Sequence, residues 1–169
     1  SLLSCSALII FGGRQTGGFP CSIAAFHVAN IAESHILQNT TFECFHDYCQ
    51  QSGTPMHSRN FTIRYDSNIP SHVGLAGSSA IITACLKTLM FFYDVTIAPP
   101  ILANLVLSVE SKELLIPAGL QDRVIQAYEG LVFMDFAEEH FEEKGYGEYQ
   151  ELDISTLPSL YIAYRTTLS

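Results

Sequence analysis

NIPSHVGLAGSSAIITACLKTLMFFYDV, residues 68–95, places two glycines and two adjacent serines directly before a long apolar run that carries Lys87 and no other charge before Asp94. The apolar run is long enough for a buried helix, and the Gly/Ser turn stands where that helix begins. A helix start leaves several backbone N–H groups without intrahelical partners and carries the positive end of the macrodipole. An anion is the natural guest of such a turn. Gly74 and Gly77 allow the backbone to bend and to approach a ligand closely, while Ser78 or Ser79 can cap the helix or offer a hydroxyl to a metal or a phosphate oxygen. The plainer reading makes Ser78 an N-cap and the glycines an ordinary turn, and the Gly-x-x-x-x-Gly-Lys-Ser/Thr pattern of a P-loop is absent. Spacing alone favours the plainer reading.

Composition narrows the partners. The 169 residues suit one domain with a real core, and 48% hydrophobic against 15% charged residues excludes a disordered chain. A formal net charge of -9 with eight Lys and Arg argues against a nucleic-acid partner, whose phosphate backbone is held by cations. Any phosphate bound here is bound locally. Five cysteines are an odd number without zinc-like pairing, and Cys85 falls in the apolar helix, which points to reduced thiols in a cytoplasmic protein. The opening SLLSCSALIIF is too short in its apolar part to span a bilayer and lacks a basic region before it, so neither a membrane helix nor a signal peptide is expected. The absence of an initiating Met suggests a fragment. Oligomeric state has no signal in the sequence.

Outward from the opening stretch, no repeat, low-complexity tract or linker divides the chain, and one domain over residues 1–169 is expected. FPCSIAAFHVANI has strand-like content, and FTIRYDSNIP alternates Phe61, Ile63 and Tyr65 against Thr62, Arg64 and Asp66, the period of a half-buried strand that Pro70 ends. A helix is expected from about Ser78 to Tyr93. Pro99 and Pro100 open a second helical run through ILANLVLSVESKELL, and RVIQAYE a third, before the strand LVFMDF, a charged connection AEEHFEEKGYGEY and a last strand LYIAYR. Strands and helices mix without regular alternation, so the class is α+β. Glu110 in LSVESKE reads as a solvated helix end shared with Lys112 and Glu113, Asp122 as either an N-cap or a catalytic carboxylate, and the six histidines show no metal-ligand spacing.

IPSHVGLAGSSA, a following helix, and then VESKELLIPAGLQDRVIQAYEGLVFMDF together resemble the N-terminal domain of the GHMP small-molecule kinases, the superfamily of galactokinase, homoserine kinase and mevalonate kinase. Most members read Gly-Leu-Gly-Ser-Ser at the phosphate loop. The additional residue in GLAGSSA, with AGLQDR, GLVFMDF, GYGEY and DISTLPSLYIAY, is similar to the uronic-acid branch of sugar-1-kinases, the glucuronokinases. The resemblance runs from about Phe42 to Tyr164 and is poor over residues 1–41.

That resemblance implies an α+β domain with a ribosomal-protein-like mixed sheet and helices on one side. It implies that ATP phosphates are wrapped by Gly74, Leu75, Ala76, Gly77, Ser78, Ser79 and Ala80, with Mg²⁺ held by the Ser79 hydroxyl and the Glu110 carboxylate. Ser78 and Ser79 can exchange roles. Asp122 falls at the superfamily's catalytic aspartate, which accepts or orients the proton of the attacking sugar hydroxyl. Arg123 and Arg14 are candidates for a uronate carboxylate, because a guanidinium is a good bidentate partner. The family's first motif is degraded or missing, and the C-terminal domain with its Gly-rich third motif has no counterpart before Ser169. The expectation is therefore an ATP-dependent kinase of glucuronate at its anomeric hydroxyl, present here as an incomplete copy. A galactokinase-like sugar kinase and a non-catalytic nucleotide-binding remnant are the alternatives.

Overall fold

The computed structural model describes residues 5–10, 32–69, 74–113, 115 and 118–163. Strand β1 (Cys5–Ile10) pairs antiparallel with β2 (Thr62–Ser67), with Ile9 opposite Ile63. The opening apolar residues are thus a strand partner, a role the sequence did not announce. The alternation read over 61–66 holds in β2, where Ile63 is buried and Arg64 and Asp66 are exposed. A strand expected over 19–31, the stop at Pro70 and the end of LYIAYR lie outside the described residues.

Helix α1 (Ala32–Gln51) falls where no element was expected. Its inward face carries Thr41, Phe42, Phe45 and Cys49 at intervals of one, three and four, while polar residues such as Glu43 and Asp47 separate them, so the apolar pattern is thin. Helix α2 (Gly77–Tyr93) matches the expected run and buries Ile82, Leu86, Leu89 and Tyr93, one stripe at helical spacing. Phe42, Phe45, Phe61, Phe92 and Tyr93 meet as an aromatic cluster joining the middle of α1 to the end of α2 and the start of β2. Helix α3 (Pro99–Ser108) opens on its proline pair and passes into a π-helical turn, Val109–Glu113. Helix α4 (Leu120–Tyr128) packs on both α2 and α3.

The last third differs most from expectation. Strand β3 (Leu131–Asp135) falls in the expected LVFMDF, but helix α5 (Glu138–Lys144) lies inside the stretch read as a charged connection, and β4 (Glu148–Leu152), antiparallel to β3, begins at its end and runs past it. Gly147 makes the hairpin possible, because a Cβ there would stand 2.5 Å from the Asp135 carbonyl oxygen. The described part of LYIAYR is not a strand, and Leu160, Tyr161 and Ile162 are exposed. Among the described residues the strands form two antiparallel pairs, and the helices pack between and against them as an α+β domain. No helix among the described residues is long and apolar enough to cross a membrane.

Candidate functional site

The turn before α2 is built on Gly74, with φ 76°, and Ala76, with φ 52° and ψ 39°. Both residues are left-handed, a region natural to glycine and costly for alanine. Ala76 occupies the N-cap position, no side chain caps the helix, and its first turn holds no acidic residue. Neither serine is the expected cap. Ser79 is fully buried and turns its hydroxyl back onto the Ala76 carbonyl at 3.0 Å. Ser78 is exposed and donates to Glu110 Oε1 at 2.7 Å. The α2 N-terminus therefore has no side-chain cap and no acidic residue in its own first turn, and the Glu110 carboxylate meets it through Ser78.

Glu110 is not a solvated helix end. Its spacing of four from Val106 and seven from Ala103 continues the buried stripe of α3, and its side chain has 0% exposure. Arg123 lies on the apolar stripe of α4 with Leu120, Val124 and Ala127, and its side chain is 7% exposed. Where these two helices pack, Arg123 Nε donates to Glu110 Oε2 at 2.6 Å and Nη2 donates to the same oxygen. Two opposite charges on two apolar stripes were the signal in the sequence for a buried pair. Arg123 Nη1 donates further to the Gly119 carbonyl at 2.8 Å and to Asp122 Oδ2 at 3.3 Å.

Asp122 is in the first turn of α4 and not at its N-cap, which is Gly119. Its side chain is 56% exposed. The structure thus brings together Ser78, Glu110, Arg123 and Asp122 as one polar chain from the α2 N-terminus to the α4 N-terminus. The partners of the two serines and of Arg123 bear on the expected assignments. The serine that meets Glu110 is Ser78, whereas the hydroxyl of Ser79 is buried and engaged. Arg123 does not present a free fork to a substrate carboxylate, because its guanidinium is committed within the protein. Arg14 lies outside the described residues.

Sequence reading missed Gln126 and Lys87. Gln126 Nε2 donates to the Ala76 carbonyl at 3.2 Å, its Oε1 accepts from Thr83 Oγ1 at 3.3 Å, and its main-chain oxygen accepts from Lys87 Nζ at 3.1 Å. The spacing of four from Asp122 to Gln126 was the available hint.

A hard cation carried by phosphates takes oxygen ligands. Ser78 fits that need, since its exposed hydroxyl oxygen has lone pairs not used by the bond it donates, and the Glu110 carboxylate touches it. No cluster of three His, Cys, Asp or Glu side chains offers a competing metal site among the described residues.

Comparison with known proteins gives one direction. The sequence model of the GHMP kinases N terminal domain matches residues 39–130. The chain is 50% identical over 123 residues to probable glucuronokinase 2 and 50% identical over 122 residues to glucuronokinase 1, both of Arabidopsis thaliana. Each match covers 71% of this chain and 33% of the relative, so the chain spans about a third of the length of these relatives. Among solved structures, Streptococcus pneumoniae phosphomevalonate kinase in complex with phosphomevalonate and AMPPNP superposes with a TM-score of 0.57 at 18% identity, over 82% of this chain and 43% of that one. A second structure of that kinase gives 0.53 at 17% identity, over 75% and 36%. At such identity these two show a shared fold.

Proposed function

The chain belongs to the GHMP kinases, and from that membership we propose that it carries the nucleotide-binding part of an ATP-dependent kinase that phosphorylates glucuronate at its anomeric hydroxyl. The observation that carries the reading is the uncapped α2 N-terminus, with Ser78 and Glu110 at its mouth and Asp122 joined to them through Arg123. The 50% identity to glucuronokinases supports the choice of sugar.

Each residue then has a task that follows from its surroundings. The backbone amides of Gly77, Ser78 and Ser79 are oriented to receive phosphate oxygens, since no side chain competes for them. Ser78 is the hydroxyl ligand for a phosphate-bound cation, with the Glu110 carboxylate beside it. Mg·ATP, when bound, supplies the transferable phosphoryl group and the charge that neutralises it. Asp122 has Oδ2 turned toward Arg123, which leaves Oδ1 to accept the proton of the attacking hydroxyl as its oxygen bonds to phosphorus and ADP departs. Arg123 holds Asp122 and compensates the buried Glu110.

A thermal-shift titration with Mg·ATP tests the reading, because a ligand that binds only the folded chain raises its apparent stability. The parent and Asp122→Asn are expected to be stabilised alike, and Ser78→Ala to lose most of the shift. In a longer protein that contains this chain, glucuronate-dependent ADP release should then be present with Asp122 intact and absent in Asp122→Asn. No shift in a well-folded parent would remove the proposal.

A further inference from the structure

We infer that Gln126 is the positioning residue that holds the α2 N-terminal turn in its anion-receiving conformation and fixes it relative to Asp122. This inference rests on the reading that the turn receives the phosphates of ATP.

The turn contains a conformation that alanine does not favour. Ala76 is left-handed, and its carbonyl oxygen takes three donors: Ser79 Oγ at 3.0 Å, Ala80 N at 3.1 Å and Gln126 Nε2 at 3.2 Å. The first two are local and come with the helix. The third reaches across from α4, fifty positions later in the chain. A trans peptide points its C=O and the following N–H in opposite directions, so drawing the Ala76 oxygen toward α4 turns the Gly77 N–H out of the α2–α4 contact. Losing the Gln126 bond would let the peptide rotate and bring an oxygen toward the ligand.

An amide is the side chain this place requires. The Thr83 hydroxyl donates to Gln126 Oε1 at 3.3 Å, which leaves Nε2 as the end facing Ala76. A carboxylate there would set an oxygen against the Ala76 carbonyl oxygen. Ala76, Thr83 and Lys87 lie on one line of α2, and all three bond to Gln126, through its side chain or its main chain. Gln126 stands one turn after Asp122 on the same side of α4. One side chain therefore registers the phosphate turn against the carboxylate.

Calorimetric titration of the chain with Mg·ATP, for the parent, Gln126→Glu, Gln126→Met, Ala76→Gly and the double variant Ala76→Gly with Gln126→Met, provides the test. Both Gln126 variants should bind about tenfold more weakly, on the scale of one hydrogen bond. Glycine adopts the left-handed conformation without penalty, so the double variant should recover to within about twofold of the parent. A merely structural loss would not be relieved by that second change. Gln126→Met, uncharged and of similar length, is read if Gln126→Glu fails to fold. Parent-like affinity in the Gln126 variants, or a loss that Ala76→Gly leaves in place, overturns the inference. A parent that binds no Mg·ATP overturns the underlying reading instead.

Discussion

Glu110 and Arg123 are fully or nearly buried, and each is the other's principal partner. A buried charge whose partner is removed keeps its desolvation penalty and loses the attraction that offset it. Glu110→Gln or Arg123→Met should therefore lower the unfolding free energy by about 3–5 kcal/mol, as measured by urea denaturation. Glu110→Leu combined with Arg123→Met should cost well under the sum of the single changes, because no orphaned charge remains. Losses of about 1 kcal/mol or less for the singles would describe an exposed pair and contradict the burial. The same pair also explains why Asp122, although exposed, has a fixed neighbour.

Helix α2 is bounded at both ends by left-handed residues that are not glycine, Ala76 and Asp94. At the far end the Val95 N–H bonds to the Met90 carbonyl at 2.8 Å and the Asp94 N–H to the Phe91 carbonyl at 3.4 Å, the paired bonds of a Schellman motif. Aspartate tolerates this conformation better than bulkier residues do. Asp94→Val should cost about 1–2 kcal/mol, whereas Asp94→Gly should change stability by no more than about 0.5 kcal/mol, since relief of strain opposes the added freedom of the unfolded chain. Thermal unfolding of the two variants separates these outcomes, and equal losses would mean that the backbone at 94 is not held left-handed.

Across the whole molecule, the β3–β4 hairpin is tied to α4 through aromatic rings, with Tyr128 meeting Tyr149 edge-on at 5.7 Å. Burial raises the pKa of both phenols above the ordinary 10.0, and for Tyr128 the nearby Tyr149, Tyr146, Glu151 and Glu148 push in the same direction. A pKa raised by folding gives stability that is intact below the unfolded value and is lost as pH climbs through the folded one. The unfolding temperature should fall above pH about 10, and Tyr128→Phe with Tyr149→Phe should flatten that fall. An unchanged alkaline slope in the double variant would show that the two phenols are equally solvated in both states.

The sequence by itself determined the elements whose information is local. The apolar run after GLAGSSA gave α2, the proline pair placed the start of α3, and alternation around Ile63 marked β2, because each pattern matches the period of the structure it forms. Two motifs in order pointed to the family that the comparisons bear out. Helix α1 escaped notice because its apolar stripe is interrupted by polar residues, and α5 with β4 because their charged surface hides any period. Only the tertiary structure decided which serine faces Glu110, since adjacent helical residues point about 100° apart and the packing of α3 selects one of them. It also decided that Arg123 turns inward to Glu110 and that Gln126 reaches Ala76, contacts between residues 13 and 50 positions apart that arise only where separate helices pack.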